Sequence, residues 1–277
     1  MDSLPRTLGP FHPLVSRPGG NFKSREWLQP SGVSIRFPGK GVRKNMAVEK
    51  PEDFYKVYAA FKRYQTPVLK DKHVKWYDRE FWVPARCGPG TSVLEIGSGT
   101  GEFLSYLNHK GVTRFHGVEQ DPEAVRVMEP GLESHVTVGD LWDYLDGAGE
   151  PFDRVVMLDV LEHFTAAEGV RLLKKIKDVL RPGGLVVVRV PNMGSPWGGI
   201  HQFADLTHQS AYTAQSLEQL GLAAGYKARA FLPQRRGSPF RRLAEDCLHG
   251  VLSRILTTTP IVWTANIIAV LEVDGGG

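Results

Sequence analysis

The sequence predicts an α/β protein built on a doubly wound, mostly parallel sheet. Apolar runs at residues 93–96, 155–158 and 185–190 are short and continuous, which is typical of strands buried on both faces. Stretches with apolar residues at helical spacing lie between them, so strands and helices alternate along the chain. A glycine-rich turn follows the first of these runs. In an open sheet of this kind, ligands bind at the carboxyl ends of the strands.

Seven segments of the sequence have the pattern of strands. The runs in the middle of the chain are apolar throughout, and the last two fit a closing pair at the end of the domain. The predicted strands are residues 93–96, 115–118, 136–138, 155–158, 185–190, 226–231 and 267–273.

Helix signals separate most of these strands. Asp121 and Pro122 supply an N-cap and a first-turn proline, and Thr165 with Glu168 forms a capping box. Glycine ends two other helical patterns. The predicted helices are residues 100–110, ended by Gly111, a helix from 121, a helix from 165, and residues 214–224, ended by Gly225.

Composition divides the chain into three parts. Residues 1–50 are rich in Pro, Gly, Ser and basic residues, which predicts an irregular N-terminal arm. Pro51 opens a helical pattern, so residues 51–90 are predicted to form a helical cap or lid. The aromatic residues at 74–82 either cover a ligand or pack this lead-in on the core. Residues 91–277 form the predicted α/β domain.

The charge and cysteine content restrict the class of protein. The chain has 277 residues, a net charge of +4, and no apolar run approaching the ~18 residues of a membrane span. Its start lacks the pattern of a signal peptide. Cys87 and Cys247 match no metal or redox spacing, which predicts two reduced thiols and a cytoplasmic protein. Arginines at 235–236 and 241–242 form a short basic cluster, which favours a solvated face over a site for an anionic substrate, nucleic acid or a membrane surface.

The glycine-rich turn identifies the kind of ligand. Glycines at 97, 99 and 101 let a ligand approach the backbone closely. The third glycine comes one residue earlier than in the dinucleotide fingerprint, where Glu102 stands instead. Glu102 would face a pyrophosphate, and Glu95 adds a second negative charge. A ligand with a positive centre and no phosphate therefore fits better than a dinucleotide, which disfavours a dehydrogenase.

Acidic residues follow the other strands of the sheet. Glu119 ends the second strand, 22 positions after Gly97, close to the ~20 expected for an acid that accepts both ribose hydroxyls. Asp140 follows the third strand, where it can accept a hydrogen bond from an adenine amino group. Asp159 follows the fourth strand. These positions in strand order predict one nucleoside-type site at the edge of the sheet.

The pattern E-x-G-x-G-x-G at residues 95–101 resembles motif I of the class I S-adenosylmethionine (SAM) methyltransferases. The turn Arg181-Pro182-Gly183-Gly184 is also similar to this family, and the resemblance spans residues 91–191. It implies a seven-stranded Rossmann-like sheet, SAM as cofactor and a transferase activity. The cofactor-binding residues that it implies are Glu95, Gly97, Ser98, Gly99, Gly101, Glu119, Gln120, Asp140, Leu141 and Asp159.

The segment after the fourth strand bears on the methyl acceptor. It lacks the N/D-P-P-Y/F motif of base amino-methylating enzymes, which disfavours a nucleic-acid acceptor. Leu161-Glu162-His163 is similar to ubiquinone-biosynthesis-type O-methyltransferases. Residues 201–208 and 259–270 resemble bacterial enzymes acting on sugars, glycans and secondary metabolites. We expect a hydroxyl of a small molecule or glycan as acceptor. An RNA or other nucleic-acid methyltransferase and a non-catalytic SAM-binding module are the alternatives, and the oligomeric state stays open.

Methyl transfer to a hydroxyl requires removal of its proton, for which histidine is suited. His163 follows the fourth strand, and His208 lies after the fifth strand with Asp205 near enough in sequence to orient it. His201 is a third candidate. Each histidine could instead anchor a loop through a hydrogen bond.

The same segment offers a possible metal site. If residues 159–163 are helical, Asp159, Glu162 and His163 share one face and could hold Mg²⁺ or Mn²⁺, as in some relatives of the ubiquinone type. The alternative, in which Glu162 caps or pairs locally, is favoured, so no metal is assigned.

Overall fold

The structure is a computed structural model, and it describes residues 51–147 and 149–275. The arm predicted at residues 1–50 lies outside the described residues. Within the described ranges, seven strands form one sheet, and each overlaps a predicted strand. The strands are β1 (Val93–Ile96), β2 (Phe115–Glu119), β3 (Val136–Val138), β4 (Phe152–Leu158), β5 (Leu180–Pro191), β6 (Tyr226–Pro233) and β7 (Asn266–Val273).

The strand order β3-β2-β1-β4-β5-β7-β6 places β1 and β4 at the centre of the sheet. Strands β1 to β5 are parallel, and β7 runs antiparallel between β5 and β6. Successive connections leave β1 towards one edge and return to β4 towards the other. The sheet therefore has its topological switch point between β1 and β4, where a crevice opens at the carboxyl ends. This confirms the predicted doubly wound Rossmann-like sheet.

Helices flank the sheet, and several begin where the sequence predicted. Thr165 and Glu168 form the expected capping box, and Asp121 accepts a hydrogen bond from the Glu123 N–H as an N-cap. The α-helices of the described residues are α1 (Tyr58–Lys62), α2 (Asp71–Tyr77), α3 (Glu102–His109), α4 (Pro122–Arg126), α5 (Leu141–Gly147), α6 (Ala166–Ile176), α7 (Gly199–Gln202), α8 (Ala214–Ala224) and α9 (Pro239–Ile255). Residues Pro51–Val57 form a 3₁₀ helix before α1.

The aromatic segment at residues 74–82 packs on the core. Tyr77 and Phe81 are buried, and their rings lie 5.2 and 4.8 Å from the Phe103 ring, centroid to centroid. Phe103 belongs to α3, directly after the glycine turn. Aromatic packing of this kind adds to the stability gained from burial. The packing interpretation of this segment therefore holds, and it supports the helix that follows the glycine turn.

Helices α5, α7 and α9 were not predicted from the sequence. The 17-residue α9 begins with Ser238, whose hydroxyl accepts a hydrogen bond from the Arg241 N–H at 3.4 Å, followed by a first-turn proline. This cap and proline were the available signal. The basic cluster at 235–242 obscured it. Among the described residues, no helix is both long and apolar enough to cross a membrane.

Candidate functional site

A cavity of about 320 Å³ opens at the carboxyl ends of β1, β2 and β4, in the crevice of the switch point. We call it the strand-end cavity. Its described lining contains four carboxylate side chains and no Lys or Arg. Such a cavity favours a cationic ligand and disfavours a phosphate. The lining residues are Tyr55, Tyr58, Ile96, Gly97, Val118, Glu119, Gln120, Gly139, Asp140, Leu141, Trp142, Asp159, Val160, His163, Phe164, Glu168 and Gln209.

The glycine turn needs its glycines for two different reasons. Gly97, Gly99 and Gly101 have φ values of 71°, 53° and 81°, a region that disfavours other residues. A Cβ at Gly97 would lie 2.5 Å from Cγ2 of Val160, so this position also has no room for a side chain. A Cβ at Gly99 would meet no atom of the described residues within 4 Å. Space for a ligand therefore remains beside the Gly99 backbone.

Glu119 joins the end of β2 to the glycine turn. Its Oε2 accepts a hydrogen bond from the Gly99 N–H at 2.7 Å, and its Oε1 accepts one from the Asp121 N–H at 2.9 Å. Burial raises the pKa of Glu119, although these backbone N–H groups counteract part of the effect. Each carboxylate oxygen has a further lone pair. The side chain can therefore hold the turn and accept hydroxyl donors from a ligand at once.

The residues predicted after β2 and β3 also reach the cavity. Gln120, Asp140 and Leu141 line it. Oδ1 of Asp140 accepts hydrogen bonds from the N–H groups of Trp142 at 2.7 Å and Asp143 at 3.3 Å, which caps the start of α5. Asp140 thus has a structural role besides its predicted contact with adenine.

Three other predicted residues lie behind the turn. Glu95 and Ser98 are buried, and neither lines the strand-end cavity. Burial raises the pKa of Glu95 well above its usual range. Gly101 precedes α3, and a Cβ there would lie 3.1 Å from the sulfur of Met128. Glu95, Ser98 and Gly101 therefore shape the turn, and their predicted contact with a ligand stays a prediction.

Asp159 lies on the cavity wall in an unusual backbone conformation. Its φ is 59°, so residues 159–163 do not continue as one α-helix, and Leu161–His163 form only a 3₁₀ turn. The Arg189 guanidinium donates hydrogen bonds to both carboxylate oxygens, one from Nε at 3.0 Å. Desolvation acts to raise the pKa of Asp159, but Arg189 outweighs it and lowers the pKa. A charged carboxylate is therefore held at the end of β4.

His163 is part of a hydrogen-bond relay. The Thr207 hydroxyl donates to Oδ1 of Asp205 at 2.6 Å and lies 2.9 Å from Nδ1 of His163. Burial acts to raise the pKa of Asp205, but Thr207 and Lys62, whose Nζ lies 3.0 Å from Oδ2, outweigh it and lower the pKa. Asp205 is thus an ionised acceptor that takes the single Thr207 proton. With its proton committed to Asp205, Thr207 Oγ1 faces His163 as an acceptor, which favours the tautomer with the proton on Nδ1 and the lone pair on Nε2.

The imidazole of His163 is kept neutral. Burial and the neighbouring His208 lower the pKa of His163 to about 4. The two rings lie 4.7 Å apart, centroid to centroid, in an edge-to-face arrangement. Nε2 of His163 is therefore a lone-pair acceptor at neutral pH.

His208 is fixed in the same tautomer by a different contact. Its Nδ1 donates to the Gln202 carbonyl at 2.8 Å, and its Nε2 lies 3.9 Å from Oε1 of Glu162. The Glu162 side chain is fully buried, and neither carboxylate oxygen has a hydrogen-bond partner among the described residues. Burial and the charge of Asp159 raise the pKa of Glu162 well above its usual range. Burial thus favours the protonated form of Glu162 beside His208.

A second pocket, of about 190 Å³, adjoins the strand-end cavity and shares Asp159 and His163 with it. An apolar groove of about 240 Å³, lined by the 3₁₀ helix Pro51–Val57, α1 and residues 204–207, continues from Phe61 and Asp205. The imidazole of His163 thus stands between two spaces. The second pocket is lined by Phe61, Lys62, Asp159, Glu162, His163, Pro191, His201, Ala204, Asp205, His208 and Asn266.

The structure brings together a different set of possible metal ligands from the predicted set of Asp159, Glu162 and His163. Among the described residues, His163, Asp205 and His208 offer ligand atoms within 4.8 Å of one another. Asp159 is engaged by Arg189, and Lys62 stands beside Asp205. A cation there would compete with two basic side chains. We therefore derive no step through a metal.

Three residues of the site were missed from the sequence. Thr207 links Asp205 to His163, Tyr55 places its hydroxyl 3.2 Å from Nδ1 of His163, and Lys62 pairs with Asp205. Thr207 was adjacent to His208 in the segment already singled out, which was the only signal. Tyr55 and Lys62 belong to the cap, whose approach to β4 no local pattern predicts.

The comparisons with known proteins agree with this geometry. Residues 79–230, more than half of the chain, match a family model described as a methyltransferase domain. A SAM-dependent methyltransferase from Archaeoglobus fulgidus has a similar structure, with a TM-score of 0.55, 17% identity, and coverage of 79% of this chain and 98% of that one. One from Clostridium acetobutylicum gives a TM-score of 0.51 and 12% identity over 81% of this chain and 99% of its own. A search of curated protein sequences gives no match.

Proposed function

Because the chain belongs to the methyltransferase domain family and is a SAM-dependent methyltransferase, we propose that it methylates a hydroxyl oxygen of a small molecule or glycan. The observation that carries this proposal is the free Nε2 of His163, held between the strand-end cavity and the second pocket. A lone-pair acceptor in this place suits an acceptor that must lose a proton.

The strand-end cavity fits SAM. When bound, SAM supplies a methyl group on a positively charged sulfur. The cavity has four carboxylates and no Lys or Arg in its described lining, so it suits a cation without phosphate. We assign the turn at 97–101 to the methionine end, Glu119 to the ribose, and Asp140 with Leu141 to the adenine. Gln120 and Asp159 complete the cofactor-binding set.

His163 acts as the base in this proposal. Its Nε2 would take the proton from the acceptor hydroxyl, whose oxygen would gain the methyl group that SAM supplies, while the sulfur–methyl bond breaks and S-adenosylhomocysteine leaves. Asp205 acts through Thr207, because their hydrogen bonds hold His163 in the tautomer with Nε2 free. The ionised Asp205 also stabilises the imidazolium that forms. His208 and Glu162 then support the wall of the second pocket, and His201 lies at its exposed edge.

The pockets restrict the acceptor. The second pocket is small and polar, whereas the groove beside it is lined by Phe54, Val57, Tyr58 and Phe61. We infer an acceptor with a hydroxyl at one end and an apolar body. A base with a pKa of about 4 is matched better to an acidic hydroxyl, as on a phenol, than to an alkyl alcohol. This agrees with the resemblance of Leu161-Glu162-His163 to the ubiquinone-type enzymes. The two cysteines without metal or redox spacing support, separately, the proposal of a cytoplasmic location.

Mass spectrometry across phenols, aliphatic alcohols and sugars tests the proposal. We expect a mass gain of one methylene group on phenolic acceptors, with formation of S-adenosylhomocysteine. His163→Ala should slow it by about 10²- to 10⁴-fold, while His201→Ala keeps most of it. Methylation confined to amines or carbon, or full activity of His163→Ala, would contradict the hydroxyl acceptor. Calorimetric titration with SAM tests the cofactor separately.

A further inference from the structure

Helix α9 presents its apolar side outwards. Within the described residues, none of its side chains is buried, although it has 17 residues. Phe240, Leu243, Val251 and Ile255 are 79%, 62%, 52% and 70% exposed. With about 100° between successive residues, these side chains and Cys247 fall on one side of the helix. We call Phe240, Leu243, Cys247, Val251 and Ile255 the outer stripe.

The polar side of α9 faces the protein. The indole N–H of Trp197 donates to Nε2 of His249 at 3.1 Å, and Trp263 stacks on His249 with ring centroids 5.0 Å apart. Trp263 also donates to the Ser253 hydroxyl at 3.0 Å. Two tryptophans therefore fix the rotation of the helix, so the outward direction of the stripe is set by specific contacts. A surface helix of a globular protein normally has the opposite arrangement.

The charges on α9 are distributed unequally around the helix. Around the helix axis Arg254 lies within the outer stripe, between Leu243 and Cys247, and Arg241 lies just beside the stripe, next to Ile255. Glu245 and Asp246 lie further round, away from the stripe, and Asp246 is paired with Arg235. The outward half of α9 thus carries positive charge and apolar surface without an acidic residue.

We propose that the outer stripe of α9 binds the surface of an anionic phospholipid bilayer. A helix that lies in the membrane interface buries an apolar face beside the acyl chains and places flanking arginines at the headgroups. The charges disfavour a second copy of the chain as occupant. An antiparallel pair centred between Cys247 and Leu248 would place Arg241 of one copy opposite Arg254 of the other.

Docking through α9 would also orient the second pocket. Trp197, which holds α9, lies two residues before α7, and α7 carries His201 of that pocket. Ile200 and Phe203 in the same segment are 75% and 74% exposed. The membrane would then lie near the rim through which an acceptor with an apolar body enters.

Vesicle flotation tests this proposal with the full chain. Vesicles of equal parts phosphatidylglycerol and phosphatidylcholine are compared with pure phosphatidylcholine, at low and high ionic strength. We expect binding to the anionic vesicles that weakens with salt. Phe240→Glu should reduce the affinity about tenfold or more, because it removes a large apolar side chain from the interface. Leu222→Glu, at an exposed apolar residue of α8, is the matched control and should bind as the wild type does.

A second variant separates the charge from the apolar contact. Arg241→Gln with Arg254→Gln should weaken binding several-fold and flatten its salt dependence, at unchanged SAM affinity. Equal flotation of the wild type and Phe240→Glu would overturn the proposal. So would a solution dimer, seen by light scattering, that Phe240→Glu dissociates, because a second copy would then cover the stripe.

Discussion

The strand-end cavity and the second pocket share Asp159 and His163 but are built in different ways. The cavity is made mainly by residues at the ends of β1 to β4, with Tyr55 and Tyr58 of the cap and Gln209 over it, and its shape depends on backbone conformation at the glycine turn. The second pocket is made by side chains from the cap, the 3₁₀ turn after β4 and the segment around α7. The first is therefore a property of the sheet, and the second a property of the segments laid over it.

This difference predicts that variants on the two sides have separable effects. Changes in the strand-end cavity should alter the affinity for SAM. Changes in the relay should alter kcat at saturating SAM. The predictions below run from the largest expected effect to the smallest.

His163→Ala should have the largest effect. We expect kcat to fall by about 10²- to 10⁴-fold, because the base is lost, while the Kd for SAM changes little. Steady-state kinetics and calorimetry on the same preparation measure the two quantities. A parallel loss of SAM affinity would show that His163 contributes to SAM binding in the strand-end cavity. The two regions would then not have separable effects.

Glu119→Ala should weaken SAM binding about tenfold to a hundredfold, through loss of charge-assisted hydrogen bonds. Its carboxylate also holds the Gly99 N–H, so part of the loss reflects a looser turn. Calorimetric titration is the measurement, and Glu123→Ala, at an exposed residue of α4, is the control. If Glu119→Ala raises the KM for the acceptor as much as the Kd for SAM, the strand-end cavity and the second pocket do not act separately.

Thr207→Val should lower kcat about tenfold without changing the Kd for SAM. The valine keeps the shape but can neither donate to Asp205 nor accept from His163, so the tautomer is no longer fixed. Thr207→Ser restores the hydroxyl and should restore most of the activity. If the serine variant is as slow as valine, packing rather than the relay explains the effect.

The smallest expected effect is that of pH, because kcat/KM and stability should change only below neutral pH. Because the pKa of His163 is about 4, the acid limb of kcat/KM should lie near pH 4 and not near 6.5. The unfolded chain takes up this proton near pH 6.5, whereas the folded chain does not until about pH 4. Stability should therefore fall as the pH drops between these values, by about 3 kcal/mol at most. Urea denaturation between pH 6.5 and pH 4 measures this fall in stability. It should be seen in the wild type and be smaller in His163→Phe, which lacks the titrating group.

The fold and the residues of the strand-end cavity could be predicted from local sequence patterns. The glycine turn with Glu95, and Glu119 at its distance from Gly97, were sufficient because parallel strands bring their carboxyl ends to one edge. Helix α9 was missed because its apolar residues follow a cap that lies inside a basic cluster. The metal hypothesis at 159–163 assumed a helix, and the φ of 59° at Asp159 interrupts it.

The order of apolar and glycine residues along this chain specifies the sheet, the turn and the charge of the cofactor site, because each depends on neighbours within a few positions. Tertiary structure alone decides which of the histidines lines both the strand-end cavity and the second pocket. Thr207 and His163 are 44 residues apart, and they meet because the segment around α7 folds over the end of β4. It also decides that α9 turns its apolar side to solvent, since Trp197, which helps to hold its polar side, lies 52 residues before its partner His249.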